Sequence, residues 1–175
     1  PAGESPVAGD LASAGESRSF AEGLLAAVFP AARAESAAQP DSFSNDPEAV
    51  EKAAKSVLLM EVYDAKDQLI ATGSGFVAFD NKTLVTNYHV IEDADWMIAW
   101  TDDGEPYLVT KYIAGDEERD IALAEFFSPT DLSPLALYTG GTLLRAAPVV
   151  AVGYPLGLAN TVSTGIISAF YDYGY

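Results

Sequence analysis

The sequence contains no cysteine. A disulfide framework, a thiolate metal site and a thiol nucleophile are therefore excluded. The compartment is left open, because an exported protein needs no disulfide. There is one histidine, His89, so a multi-histidine metal centre is excluded as well. Basic residues are scarce, with 9 Lys and Arg against 26 Asp and Glu, for a formal net charge of −17. That balance argues against nucleic acid and anionic membrane surfaces as partners, since both attract basic patches. It would draw a cationic substrate inward without identifying one. No apolar run reaches the roughly 20 residues needed to span a bilayer.

The 175 residues are 49% hydrophobic, enough for one domain, or two at most, with a sizeable core. Residues 1–49 differ from the rest. They are rich in Ala, Ser, Glu, Pro and Gly, lack apolar periodicity, and read as a disordered tail. Within it, residues 20–34 hold the apolar run Leu24 to Phe29 followed by Ala32-Arg33-Ala34. This is similar to a secretory signal with a small-x-small cleavage site. Glu22 before the run, Arg18 as the one earlier basic residue and the absence of an initial Met fit that pattern poorly. An Ala-rich helical or disordered tail is the alternative.

Residues 50–175 carry the folded signal. Asp46 and Pro47 predict the start of a short helix over Pro47–Lys55. Strands are predicted at Ser56–Tyr63, Gln68–Phe79, Thr83–Asn87, Trp96–Thr101, Tyr107–Ala114, Ile121–Phe127, Pro148–Val152 and Thr161–Phe170. Turn signals such as Asp80-Asn81-Lys82 and Asp102-Asp103-Gly104 separate them. Many short strands with few helices imply an all-β antiparallel sandwich or barrel. Trp96, Trp100, Tyr107 and Tyr112 fall on these strands and read as barrel packing.

Two stretches carry chemistry. In Leu84-Val85-Thr86-Asn87-Tyr88-His89-Val90-Ile91 an apolar strand runs into a polar turn bearing the histidine. In Arg119-Asp120-Ile121-Ala122-Leu123-Ala124 an acid opens an apolar strand. A histidine that shuttles protons needs a fixed tautomer, and a buried carboxylate on one ring nitrogen provides it. Strand alternation puts Ala122 and Ala124 on the face of Asp120, which leaves room beside the carboxylate. Taken singly, a lone histidine and a strand-opening aspartate are ordinary structural residues; the case rests on their pairing.

The order of motifs adds to this. Gly73-Ser74-Gly75-Phe76-Val77, the Leu84-to-Val90 stretch, Asp120-Ile121-Ala122-Leu123, Val152-Gly153-Tyr154-Pro155-Leu156-Gly157 and Thr161-Val162-Ser163-Thr164-Gly165-Ile166-Ile167-Ser168-Ala169 follow one another. The set resembles the HtrA/Deg branch of the trypsin-like serine peptidases over roughly residues 53–170. The resemblance implies two Greek-key β-barrels with the site between them. The first would be complete here and the second only begun, making residues 50–175 the N-terminal portion of a peptidase domain. It implies His89 as general base and Asp120 as its orienting carboxylate.

The family's Gly-x-Ser-Gly-Gly nucleophile motif is absent, and Ser74, Ser163 and Ser168 lie on strands, so no nucleophile is assigned. The expectation is a serine endopeptidase whose nucleophile lies outside these residues. As they stand they would be an inactive fragment of a longer gene, which the missing Met also suggests. A non-catalytic barrel that binds without cleaving is the alternative, and a site completed by a second polypeptide is a third reading. The resemblance implies protein or peptide substrates, an extracytoplasmic location, and neither metal nor organic cofactor.

Gly73, Gly75, Gly153, Gly157 and Gly165 form no phosphate loop and read as close backbone approaches and bends. The acidic clusters at 92–95, 102–105 and 116–118 match no EF-hand spacing and read as solvated turns.

Overall fold

The computed structural model describes residues 46–138, 143–155 and 159–170. The expected tail, with its signal-like stretch at 20–34, lies outside the described residues apart from its last four. Helix α1, Pro47–Ala54, starts where Asp46 accepts the Glu48 N–H at 3.2 Å and Pro47 occupies the first turn. Eight strands follow: β1 Val57–Tyr63, β2 Leu69–Val77, β3 Thr83–Thr86, β4 Trp96–Trp100, β5 Pro106–Asp116, β6 Ile121–Phe126, β7 Pro148–Gly153 and β8 Thr161–Ile166. Each lies within two residues of its predicted bounds except β8. That strand stops at Ile166 rather than Phe170; past the Pro148–Ile166 pair the bonds from the Ile167 N–H to the Ala147 carbonyl and from the Ala146 N–H to the Ile167 carbonyl follow, at 3.0 and 2.8 Å, around an Ala146 in the left-handed region.

Strands β1 to β6 close into an antiparallel barrel in the order β1-β2-β3-β6-β5-β4. The path is a meander through β3, a step across to β4, and a return by β5 and β6 that seats β6 beside β3. Alternation then sorts the side chains. Leu58, Met60 and Val62 of β1, Val77 of β2, Leu84 of β3, Met97 and Ala99 of β4, Val109 of β5, and Ala122, Ala124 and Phe126 of β6 fill the interior. Strands β7 and β8 pair as a separate hairpin whose β8 residues are all exposed. The barrel-and-hairpin plan bears out the expected all-β class.

The aromatics pack on both faces of the barrel wall. Trp96 and Trp100 alternate with inward Met97 and Ala99, so both lie on the outer face. There Trp96 stacks on Tyr63 at 4.0 Å, and Trp100 donates its indole N–H to Glu61 at 2.7 Å. Tyr112 is 51% exposed. Tyr107 packs inward, edge-on against core Phe126.

The registers place three turns at one end of the barrel: 64–68, 87–95 and 116–120. The middle turn holds a four-residue helix, α2 Tyr88–Ile91, where the sequence suggested an irregular turn. Its Val90 and Ile91 are buried in the core, which leaves His89 on the outer side.

Candidate active site

His89 and Asp120 lie 31 positions apart in the chain, and the barrel brings them together. Thr86 at the end of β3 pairs with Ala122 near the start of β6, so the residues just outside this ladder meet. Two local features fix the turn that carries His89. The Thr86 hydroxyl donates to the Ser74 carbonyl at 2.8 Å. Gly73 lets α2 come close: a Cβ there would sit 2.7 and 2.8 Å from the Val90 methyls.

Asp120 adopts φ 53°, a left-handed conformation that aspartate tolerates better than most residues. Its N–H donates to the Glu117 carbonyl at 3.2 Å. The Asp116 carboxylate accepts the Arg119 N–H at 2.9 Å and pairs with the Arg119 guanidinium, so the turn is braced internally.

The carboxylate of Asp120 meets three donors. Oδ2 lies 2.7 Å from His89 Nδ1, and Oδ1 accepts the His89 backbone N–H at 2.9 Å. The Asn87 amide donates to Oδ2 at 3.1 Å and to the Asp120 carbonyl at 3.0 Å. The His89 N–H does most to hold the Asp120 carboxyl below its ordinary range; the imidazole and the Asn87 amide add to this, and partial desolvation opposes it. The group is therefore anionic at neutral pH. A carboxylate only accepts, so Nδ1 of the neutral ring carries the proton and Nε2 keeps its lone pair.

Two parts of the sequence reading change. Ala122 and Ala124 are fully buried in the barrel and do not share a face with Asp120, because its left-handed backbone leaves the strand alternation. The carboxylate is also not buried: the side chains of Asp120 and His89 are 40% and 66% exposed. Asn87 was given no role from sequence. The one available signal was an amide two residues before the sole histidine.

Ser74 faces away from this chemistry. Its hydroxyl accepts the Tyr154 N–H at 2.8 Å, which ties the segment after β7 to the first barrel. Gly153 permits this approach, since a Cβ there would lie 3.0 Å from Ser74 Oγ. Asn160 adds a second tie by donating to the Ala54 carbonyl at 3.1 Å. Among the described residues no serine hydroxyl bonds His89, and no group of three His, Cys, Asp or Glu could hold a metal.

A closed six-stranded antiparallel barrel, with a histidine–aspartate pair at its rim and a hairpin tethered beside it, defines the class of trypsin-like folds. The sequence model of the trypsin-like peptidase domain family matches residues 73–175, and the chain belongs to that family, as an HtrA-type member. It is 38% identical to "Serine protease HTRA1A" of Danio rerio over 68% of this chain and 26% of that protein. It is also 38% identical to a "Probable periplasmic serine endoprotease DegP-like" of Brucella suis, over 57% and 20%. An "Anti-sigma-I factor RsgI9" of Acetivibrio thermocellus is 32% identical over 69% and 17%. The chain thus spans about a quarter or less of these relatives. The crystal structure of the serine endoprotease from Yersinia pestis aligns with a TM-score of 0.63 and 29% identity, covering 70% of this chain and 44% of that one.

Proposed function

We propose that these residues carry the proton-handling half of a serine endopeptidase site. The observation behind this is the 2.7 Å contact between His89 Nδ1 and Asp120 Oδ2. His89 Nε2 takes the proton from an attacking serine hydroxyl and returns it to the leaving amine. Asp120 fixes the tautomer and stabilises the imidazolium formed in between. The serine and the donors for the tetrahedral oxyanion come from outside these 175 residues, which by themselves do not cleave. The substrates are proteins or peptides, the setting is extracytoplasmic, and residues 50–175 form the N-terminal portion of the peptidase domain. The names of the serine protease relatives, one of them periplasmic, support this reading.

A non-catalytic binding barrel is the second reading. It is favoured by the absence of Gly-x-Ser-Gly-Gly from the sequence and by the anti-sigma factor among the relatives. A serine-reactive phosphonate probe separates the two. Protein expressed from the intact open reading frame should be labelled, His89→Ala should abolish labelling, and the 175-residue chain should stay unlabelled. No labelling of the full-length product would favour the binding barrel, and labelling of the 175-residue chain would refute the placement of the nucleophile.

A further inference from the structure

Asn87 occupies the N-cap position of α2, where asparagine is among the most favoured residues. Such a residue ordinarily turns its side-chain oxygen onto the N–H two or three positions ahead. Here the Asn87 side chain makes no cap bond. The His89 N–H, which it would be expected to bind, goes instead to Asp120 Oδ1 at 2.9 Å. The Asn87 amide turns outward and donates both to Asp120 Oδ2 and to the Asp120 carbonyl, at 3.1 and 3.0 Å. The N–H that a cap would satisfy donates instead to Asp120, across the β3–β6 seam.

We propose that Asn87 is a positioning residue for the histidine–aspartate pair: its amide grips the left-handed Asp120 at carbonyl and carboxylate together, so that Oδ2 is presented to His89 Nδ1. The inference rests on the reading of that pair as the base of the site. Two bonds from one amide fix Asp120 more tightly than either would alone. The carbonyl bond holds the backbone, and the Oδ2 bond sets the rotation of the carboxylate. With Oδ1 already on the His89 N–H, one orientation of the carboxylate is left, the one that faces Nδ1. An acceptor at position 87 would lose both bonds, and a charged one would also repel the carboxylate.

His89 is the only histidine, so its ring nitrogens are unambiguous in the 15N spectrum of the 175-residue chain. In alkaline solution the ratio of Nδ1–H to Nε2–H tautomer reports the Asp120 contact. Asn87→Ala and Asn87→Asp are each expected to lower that ratio by roughly two- to fivefold, the scale of one solvent-screened charged contact. Asn87→Asp is the sharper variant, because aspartate caps helices as well as asparagine does; a capping role alone would leave both the ratio and the melting temperature unchanged. An unchanged ratio in the folded variants overturns the proposal. Should either variant fail to fold, the unaltered chain still decides: the Asn87 amide protons should shift in step with protonation of Asp120, and their indifference to it would refute the grip. Asp120→Ala separates the two levels of argument. If it leaves the tautomer ratio unchanged, the pairing of His89 with Asp120 fails; if it collapses the ratio while the Asn87 variants do not, only the role of Asn87 fails.

Discussion

Gly73→Ala tests how the His89 turn is held. The added methyl would sit 2.7 Å from Val90 Cγ2 and 2.8 Å from Cγ1, closer than carbon atoms pack. Val90 is buried beside Ile91 in the core, so it cannot swing into solvent, and either α2 or β2 must shift. Overpacking of this kind costs about 1–3 kcal/mol. Replacing a strand glycine recovers roughly 0.5–1 kcal/mol of backbone entropy, so the net loss should be about 1–2 kcal/mol. Val90→Ala removes both of the methyls concerned. Alone it should cost about 2 kcal/mol through lost burial and a small cavity. The double variant should then be more stable than the sum of the two losses, by about 1 kcal/mol or more, because the space vacated by one side chain receives the other. Urea unfolding of the four proteins measures this coupling. Additivity within about 0.5 kcal/mol, or a Gly73→Ala variant more stable than the parent, would refute the claim that glycine is needed there for close approach.

Two further predictions concern titration. Asp116, Asp120 and Glu125 all have carboxyls held below their ordinary range: Asp116 by the Arg119 N–H, Asp120 by the His89 N–H, and Glu125 by the Lys82 ammonium. A depressed folded pKa means that the stabilisation is present above the unfolded value and is lost as pH falls through the folded one. Urea midpoints should therefore drop as pH falls through and below about 4, and Asp116→Asn should flatten part of that drop; a flat profile would contradict the assigned partners. Tyr154 behaves in the opposite sense. Burial, with the Asp102 charge adding to it, pushes its hydroxyl up to about 12. The stability it contributes is complete below the ordinary phenol value of about 10 and is lost as pH rises towards 12. In an ultraviolet titration Tyr154→Phe should remove a late-titrating phenol; loss of a phenol that titrates at the ordinary value instead would show that Tyr154 is not buried.

Most of the barrel was legible because its strands alternate and its turns carry turn residues. Met97 and Ala99 point inward for the reason any period-2 pattern works. The same alternation decides the side the aromatics take: the parity of Trp96 and Trp100 on β4 puts them on the outer face, where Tyr63 and Glu61 satisfy them. Helix α2 was missed because four residues carry too little periodicity to separate a helical turn from an irregular one. His89 and Asp120 were legible as residue types in a motif. Their contact depends on the β3–β6 pairing, which joins strands that are not adjacent in sequence. The left-handed φ of Asp120 was illegible, since nothing in Arg119-Asp120-Ile121 demands it, and strand parity extended one residue too far gave the wrong face.

That left-handed residue accounts for the character of the site. Barrel closure alone would leave the side chain at position 120 in the β6 alternation, level with the buried Ala122 and Ala124. The turn at φ 53° lifts it onto the rim, where it reaches the His89 ring but remains 40% exposed. A pair so open to water interacts weakly, because solvent screens the attraction. Geometry and electrostatics are therefore supplied by different parts of the molecule. The β3–β6 seam fixes the 2.7 Å contact with no help from the β7–β8 hairpin, whereas a low-dielectric setting requires something to cover the rim. The Ser74–Tyr154 and Asn160–Ala54 bonds anchor the chain on either side of the turn that joins β7 to β8. Whatever packs against that hairpin is thereby held beside the barrel that carries the pair. The orientation of the base belongs to the first barrel, and its strength depends on what closes over it.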